Sequence, residues 1–280
     1  MLVVATVFKN EASILREWVE HYLLREGAVH LFMVDHGSVD SPWEVVKDYA
    51  DRITWFRDDR PFQPGVQAVL LNEHVLPKLA GGKCWVLVCD VDEYLYAPRA
   101  TVASALQGLP EHVRRIWIPW KVFGGNGHKI QPKEGVVSGF TRRASGISLP
   151  YRKTELGKYE SHLGLGKMLA RGVTTLGVHE SEVLWNGDPN QPVFAWDTRL
   201  TPAHLLVYLP THPLLELNHY MYMSRAYYKD VKCVRGGGLT GHATGKYTMD
   251  YYDATEPGCN AVLDEALNVK KTNANLNIET

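Results

Sequence analysis

Two carboxylates spaced two residues apart, Asp90 and Asp92, follow an apolar run at 85–89. If the extended geometry of a strand continues past this run, both side chains point to the same side. Carboxylate oxygens suit Mg²⁺ and Mn²⁺, which usually complete their coordination shell with water and substrate phosphates. A solvated acidic loop is the alternative. Because the pair follows a buried strand, the sequence gives the two interpretations equal weight.

Two histidines could bring an imidazole to the same ion. His179 follows the short apolar stretch 176–178, and His219 comes shortly after the apolar run 214–217. Imidazole is a common metal ligand, so either residue could join Asp92 around a divalent cation. A single histidine is more often a hydrogen-bonded core residue, and the sequence leaves both interpretations open.

A third candidate ends the second predicted strand. Asp35 could accept a hydrogen bond from a nucleobase or a ribose hydroxyl, and Gly37 would let the backbone approach a ligand closely. The alternative is an ordinary Asx turn followed by a helix that Ser41 caps.

Aromatic residues surround a glycine-rich turn at 123–128. Trp120, Phe123 and His128 would offer aromatic faces and a polar group to a sugar ring. Packing in the core is the alternative interpretation. Farther along the chain, Lys229, Lys232 and Arg235 could hold a diphosphate, unless they belong to a solvated helix face.

These candidates fall at the ends of predicted elements. Apolar runs predict strands at 2–8, 29–34, 53–56, 85–89, 116–120 and 214–217. Helical periodicity predicts helices after an Asn10 N-cap, from Ser41-Pro42, at about 67–79 and at 224–234. Alternating strands and helices predict a parallel sheet, and ligands of such sheets bind beyond the carboxyl ends of the strands.

Composition excludes several classes of protein. The 280 residues are 45% hydrophobic and 22% charged, and 30 basic against 31 acidic residues give a net charge of -1. This balance disfavours nucleic-acid binding as the main role. The sequence shows no apolar run near the ~20 residues of a membrane span, no signal peptide and no CxxC spacing. We expect a soluble, cytoplasmic protein without a transmembrane segment.

The order of the candidate segments resembles family-2-like and family-92-like glycosyltransferases of the GT-A fold, over about residues 2–236. The most distinctive segment is Trp-x-x-Phe-Gly-x-x-Gly-His at 120–128. The other matching positions are 7–11, 17–21, 34–40, Gln67, Asn72, 90–95, Lys167, His179, 218–220, Ser224, Lys232 and 235–236. The size also resembles glycosyltransferases of large algal viruses, some of which transfer xylose.

The resemblance implies a nucleotide-sugar donor, usually a UDP-sugar, and Mn²⁺ or Mg²⁺ at the Asp-x-Asp segment. It implies a donor site formed by Asn10, Glu11, Asp35, Gln67, Asn72, Asp90 and Lys232. It implies a metal site formed by Asp90, Asp92 and His219, with Trp120, Phe123 and His128 facing a glycan acceptor. Relatives often carry a lysine where this chain has Met223, which puts one phosphate contact in doubt.

We therefore expect an α/β protein with a GT-A-type, Rossmann-like, mostly parallel sheet flanked by helices, in a single domain at 1–255. Residues 1–115 would form the nucleotide-sugar half and residues 116–255 the acceptor half. Residues 256–280 would form a polar, loosely held tail.

The expected reaction is metal-dependent transfer of a sugar, xylose on the viral resemblance, from a UDP-sugar to a glycan hydroxyl. Inversion is expected from the resemblance, and no segment marks a covalent nucleophile. The base would be a carboxylate; Glu180 is favoured because it follows His179, while Glu155, Glu160, Asp188 and Asp197 stay open.

Two alternatives belong to other functional classes. One is a non-catalytic nucleotide- or carbohydrate-binding protein of the same fold. The other is a metal-dependent nucleotidyltransferase or phosphohydrolase, which would normally carry a glycine-rich phosphate loop after the first strand. Residues 9–11 contain no glycine.

Overall fold

The computed structural model describes residues 1–79, 84–109, 113–146, 151–153, 159–161, 166–179, 182–183, 214–237 and 245–276. Its strands, numbered along the chain, are β1 (Leu2–Phe8), β2 (Ala28–Asp35), β3 (Ile53–Arg57), β4 (Trp85–Val88), β5 (Glu93–Tyr96), β6 (Arg115–Val122), β7 (Arg142–Arg143), β8 (Tyr151–Lys153), β9 (Tyr159–Ser161), β10 (Gly166–Arg171), β11 (Val173–Thr175), β12 (Glu182–Val183), β13 (Glu216–His219) and β14 (Val262–Leu263). Its α-helices are α1 (Ala12–Glu20), α2 (Val66–Leu70), α3 (Val102–Gln107), α4 (Val136–Gly139), α5 (Arg225–Tyr227), α6 (Cys233–Arg235), α7 (Met249–Thr255) and α8 (Ala266–Leu276).

Eight strands form one sheet in the order β3-β2-β1-β4-β10-β6-β13-β5. The first four are parallel, and β13 is parallel to β6. Strand β10 runs antiparallel to both of its neighbours, and β5 runs antiparallel to β13. The short pairs β11-β12, β14-β7 and β8-β9 lie outside this sheet. The expected α/β fold with a mostly parallel sheet is confirmed.

Strand β1 is apolar on both sides. Both of its faces are therefore covered by other elements. Leu2 and Val4 pack in one cluster with Trp18 of α1. Val3, one position along and so on the opposite face, packs in a second cluster with Leu70 of α2. Burying each such side chain contributes roughly 1.5–3 kcal/mol, so the two clusters fix the strand between its helices.

Strand direction brings the candidate residues to a single edge of the sheet. Strands β1, β2, β4, β6 and β13 end at this edge, and the oppositely directed β5 and β10 begin there. Asp35 ends β2, Asp92 follows β4, His219 ends β13 and Lys167 lies at the start of β10. The predicted concentration of polar residues at the carboxyl ends is therefore confirmed.

Three helices contain a wider, π-helical turn, namely His21–Arg25, Leu71–Val75 and Tyr228–Lys232. Tighter 3₁₀ turns are found at Pro42–Val45, Lys47–Arg52, Leu76–Leu79 and Glu256–Asn260. Within the described parts of the chain, none of the helices has the length and apolar character that a membrane span requires.

Asn10 does not cap α1, contrary to the sequence prediction. The N-cap is Glu11, whose carbonyl accepts hydrogen bonds from the amides of Ile14 and Leu15. Asn10 has a positive φ of 56°, a region that asparagine tolerates better than most residues. Its backbone amide donates a hydrogen bond to Ser38 Oγ, so Asn10 joins the end of β1 to the loop after β2.

The segment expected to be a loose tail packs on the domain. A Cβ on Gly124 would lie 2.3 Å from the side-chain oxygen of Asn260, so only glycine allows this close approach. Glu256 accepts a hydrogen bond from the amide of Gly125 at 2.6 Å, and Leu267 of α8 is 3% exposed. The glycine-rich turn therefore holds the C-terminal segment.

Glu26 lies beneath α8, and its carboxyl group should make the free energy of unfolding depend on pH. It is fully buried and pairs with Lys270, yet burial raises its carboxyl pKa from 4.5 to about 7. The folded protein therefore holds this proton more tightly, and the stabilisation present below pH 4.5 is lost as the pH rises through 7.

The free energy of unfolding of Glu26→Gln, relative to that of wild type, should rise by as much as about 3 kcal/mol between pH 4.5 and pH 8. Urea unfolding at a series of pH values measures this, with the exposed-site variant Glu44→Gln as control. A difference between Glu26→Gln and wild type that does not vary with pH would contradict it.

Candidate active site

A cavity of about 600 Å³ opens at the carboxyl edge of the sheet. Eight of the predicted site residues line it: Asn10, Glu11, Gln67, Asp90, Asp92, Trp120, His219 and Lys232. Among its described lining residues are four basic side chains, Lys9, Lys232, Arg235 and Lys246, against three acidic ones, Glu11, Asp90 and Asp92. The positive balance suits an anionic ligand such as a diphosphate.

Asp92 has two oxygens in different surroundings. Oδ2 accepts a hydrogen bond from Lys232 Nζ, which also donates to the carbonyl of Met221. Oδ1 is buried, has no hydrogen-bond partner among the described residues and lies 3.6 Å from His219 Nε2. Burial alone would raise the pKa of Asp92, but Lys232 and His219 hold it well below its usual value. The carboxylate is therefore ionised, with one oxygen available.

Asp90 is paired with a different lysine. Lys167 is fully buried, and its Nζ lies 3.1 Å from Asp90 Oδ2 and 3.3 Å from Glu93 Oε2. Burial alone would lower the pKa of Lys167, but these two carboxylates raise it above the usual value. Burial raises the pKa of Glu93 to about 7, although Lys167 opposes this shift. Lys167 therefore stays charged and holds Asp90 in place.

Asp90, Asp92 and His219 do not gather as a compact group of three ligands. Among the described residues, the three potential ligands whose atoms all lie within 4.8 Å of one another are Asp58, Glu73 and His74. Arg60 lies in that cluster and pairs with both of its carboxylates, so the cluster already contains its cation.

A divalent ion nevertheless fits the pair formed by Asp92 and His219. The free Oδ1 of Asp92 and His219 Nε2 could each give one ligand, and the oxygens of a diphosphate and water would complete the shell of Mn²⁺ or Mg²⁺. Asp90 pairs with Lys167 instead, because that lysine lies at the start of β10, beside β4.

Glu11 joins the first strand to the C-terminal helices. Its carboxylate, 2% exposed, accepts hydrogen bonds from Tyr227 Oη and Arg235 Nη1. Burial raises the pKa of Glu11 to about 7, and Arg235 opposes the shift. Glu11 thus holds Arg235 at the wall of the cavity.

Trp120 lies between the two candidate histidines. Its ring centroid is 4.4 Å from that of His219 and 5.6 Å from that of His179. Both histidines line the cavity, and His179 Nδ1 lies 3.1 Å from the carbonyl oxygen of Gly166. Burial, with Lys167, lowers the pKa of His179, so its imidazole is neutral at pH 7.

Some residues predicted to bind the nucleoside line the cavity, and others only hydrogen-bond to nearby segments. Asp35 is buried behind the cavity. Its carboxylate accepts hydrogen bonds from the backbone amide of Ser38 and from the Arg57 side chain. Asn72 hydrogen-bonds the backbone of Leu176 through both its amide nitrogen and its oxygen. Neither belongs to the described lining, whereas His36, which follows Asp35, does.

Phe123 lies in the core, whereas His128 is partly buried, and neither is among the described residues that line the cavity. Phe123 is fully buried, with its ring 4.7 Å from that of Tyr220. His128 Nε2 lies 2.8 Å from the carbonyl oxygen of Gly139, and its ring contacts Phe140. The structure gives both residues a packing role because the glycine-rich turn faces the C-terminal segment.

The predicted base Glu180 lies outside the described residues, as do Glu155, Asp188 and Asp197. Glu160 is in β9, and its side chain is likewise outside the description. The neighbouring His179 is at the cavity wall.

The sequence did not indicate several lining residues. Phe62, Lys246, Tyr247 and Tyr251 belong to loops or to a late helix without a recognisable pattern. The resemblance includes Lys167 but implies no role for it. A lysine within the apolar strand β10 was the available signal, since a buried charge requires partners.

Lys167→Met should lower the free energy of unfolding by about 3–5 kcal/mol, because it leaves two carboxylates without their buried cation. Urea unfolding at pH 7.5 measures the loss, with Lys78→Met, at an exposed position, as the control. Adding Glu93→Gln should restore part of it. A loss below about 1 kcal/mol would show that the ion pairs are weak.

No family model matches the chain. A glycosyltransferase family 92 protein of Oryza sativa subsp. japonica is 28% identical over 144 residues, which are 50% of this chain and 24% of that protein. The match thus spans about a quarter of the length of that curated relative. It confirms the resemblance that the sequence segments carry.

Several solved structures show partial likenesses. The mannosyltransferase PcManGT from Pyrobaculum calidifontis, in complex with GDP-Man and Mn²⁺, is 19% identical and has a TM-score of 0.33, covering 42% of this chain and 34% of that one. TarS 1-349 of S. aureus in complex with UDP-GlcNAc is 19% identical with a TM-score of 0.34, covering 47% and 37%. A putative glucose-1-phosphate thymidylyltransferase from Bacillus anthracis is 9% identical with a TM-score of 0.34, covering 61% and 72%. Likenesses at this level do not identify the activity. By its sequence, the chain is similar to a family 92 glycosyltransferase over half its length.

Proposed function

We propose that this protein is a glycosyltransferase that moves a sugar from a UDP-sugar to a hydroxyl of a glycan acceptor. The observation that carries the proposal is the cavity at the carboxyl edge of the sheet. There, the buried free oxygen of Asp92 faces His219, and Lys232 and Arg235 contribute positive charge. This arrangement suits the diphosphate of a nucleotide sugar.

The donor would lie along the ends of β1 and β4. Asn10, Glu11 and Gln67 line the part of the cavity proposed for the nucleoside. Asp35 acts through its hydrogen bonds to the loop after β2, which carries His36 at the wall. Asn72 acts in the same indirect way, because it connects the helical segment that carries Gln67 to Leu176.

Asp92 and His219 would hold Mn²⁺ or Mg²⁺, which when bound neutralises charge on the departing UDP. Lys232, which pairs with Asp92, and Arg235 would add to this neutralisation, since both line the cavity. Asp90 would orient the donor, since Lys167 and Glu93 fix its carboxylate and its amide.

The acceptor would enter beside Trp120, whose indole nitrogen is buried and has no hydrogen-bond partner among the described residues. The proposed base is Glu180, which would take the proton of the acceptor hydroxyl as that oxygen attacks the anomeric carbon with inversion. We propose UDP-xylose as the first donor to test, on the resemblance described above.

Asp92→Asn should reduce transfer more than 100-fold, because it removes the negative charge that would hold the metal ion. Release of UDP from UDP-sugars, with and without acceptor, measures transfer and hydrolysis. EDTA should abolish both and Mn²⁺ should restore them. Asp48→Asn, at an exposed site, is the control.

Full transfer by metal-free protein would contradict the metal proposal. Binding of UDP-sugars without any release of UDP would favour the non-catalytic alternative. Release of pyrophosphate from a nucleoside triphosphate and a sugar phosphate would instead favour a nucleotidyltransferase.

Glu180→Gln should reduce transfer to the acceptor by about 10²-fold or more while UDP affinity stays unchanged, because a base acts only on the acceptor. Product formation and calorimetric UDP binding separate the two quantities. Glu134→Gln, at an exposed position, is the control. Wild-type transfer by Glu180→Gln would remove Glu180 as the base and leave the other carboxylates open.

A further inference from the structure

Lys232 and a metal ion would compete for the same carboxylate. Lys232 Nζ already donates a hydrogen bond to Asp92 Oδ2, and both side chains are almost completely buried. Asp92 carries a single negative charge, and a second cation at Oδ1 would lie close to the ammonium of Lys232. Two like charges so close together in a buried site repel each other strongly.

We propose that Lys232 is a resident cation that blocks tight metal binding at Asp92 until a nucleotide diphosphate arrives. Lys232 then releases Asp92 to the metal and donates to the diphosphate. The inference rests on the proposed function, which it deepens by making metal and nucleotide bind in a coupled way.

The surroundings of Lys232 allow both states. Its second hydrogen bond goes to the carbonyl of Met221, so the ammonium is held at the cavity wall by a neutral group as well. Arg235 and Gly236 line the same cavity next to it, and a diphosphate bound there would be within the reach of a flexible lysine side chain. The unpartnered Oδ1 of Asp92 remains on the side of His219.

The coupling has a thermodynamic consequence. If Lys232 opposes the metal in the free protein, its removal strengthens metal binding when nucleotide is absent. UDP also removes this opposition, so UDP should strengthen Mn²⁺ binding much more in wild type than in the variant, and Mn²⁺ should strengthen UDP binding by the same factor.

Calorimetric titration with Mn²⁺ alone, and with Mn²⁺ in saturating UDP, tests this without any turnover. We expect Lys232→Met to bind Mn²⁺ at least about tenfold more tightly than wild type when UDP is absent. UDP should then improve the Mn²⁺ affinity of wild type by a larger factor than that of the variant. Lys229 lies on the same turn but is exposed and is not among the described lining residues, so Lys229→Met should behave as wild type.

Lys232→Gln is the second variant, because it keeps a donor for the Met221 carbonyl and removes the charge; it should also bind Mn²⁺ more tightly. Equal or weaker Mn²⁺ binding by the folded variants, or no binding by any of the proteins, overturns the inference. Tighter Mn²⁺ binding together with UDP coupling, but without sugar transfer to any acceptor, would retain the inference and reject the glycosyltransferase proposal.

Discussion

The buried ion pair between Lys232 and Asp92 connects residues that are 140 positions apart in the chain. A buried charge is tolerated only when it is paired and hydrogen-bonded, so these two distant parts of the chain must come together for either group to be stable. The buried Lys167 and the partly exposed Asp90 form a second ion pair, 77 positions apart. The cavity thus forms only when the strands from both halves occupy one sheet.

The two pairs have different consequences for chemistry. Lys167 is completely enclosed and is also bound by Glu93 and the carbonyl of Val178, so it fixes Asp90 as part of the wall. Lys232 lines the cavity, and its partner Asp92 retains a free oxygen toward His219. One carboxylate of the Asp-x-Asp segment is therefore a fixed support, and the other can exchange partners. The sequence alone treats these two carboxylates as equivalent.

Much of the architecture could be predicted because it depends on local patterns. The apolar run at 2–8 is β1 with the same bounds, and the candidates at 10–11 and 90–92 lie at the cavity because parallel strands end at one edge. Long-range contacts could not be predicted in this way. Gly124 and Gly125 are needed for the approach of Asn260 and Glu256, which the sequence separates by more than 130 positions. That turn places Phe123 in the core and the partly buried His128 against Phe140.

We propose that Asp92 and His219 together hold a divalent ion next to a nucleotide diphosphate. The most direct test is the anomalous scattering of Mn²⁺ in crystals grown with UDP. We expect one strong peak roughly 2.0–2.6 Å from Asp92 Oδ1 and His219 Nε2, in contact with the diphosphate. A peak at the cluster of Asp58, Glu73 and His74 alone, or UDP bound in the cavity without any Mn²⁺ peak beside Asp92, would contradict it.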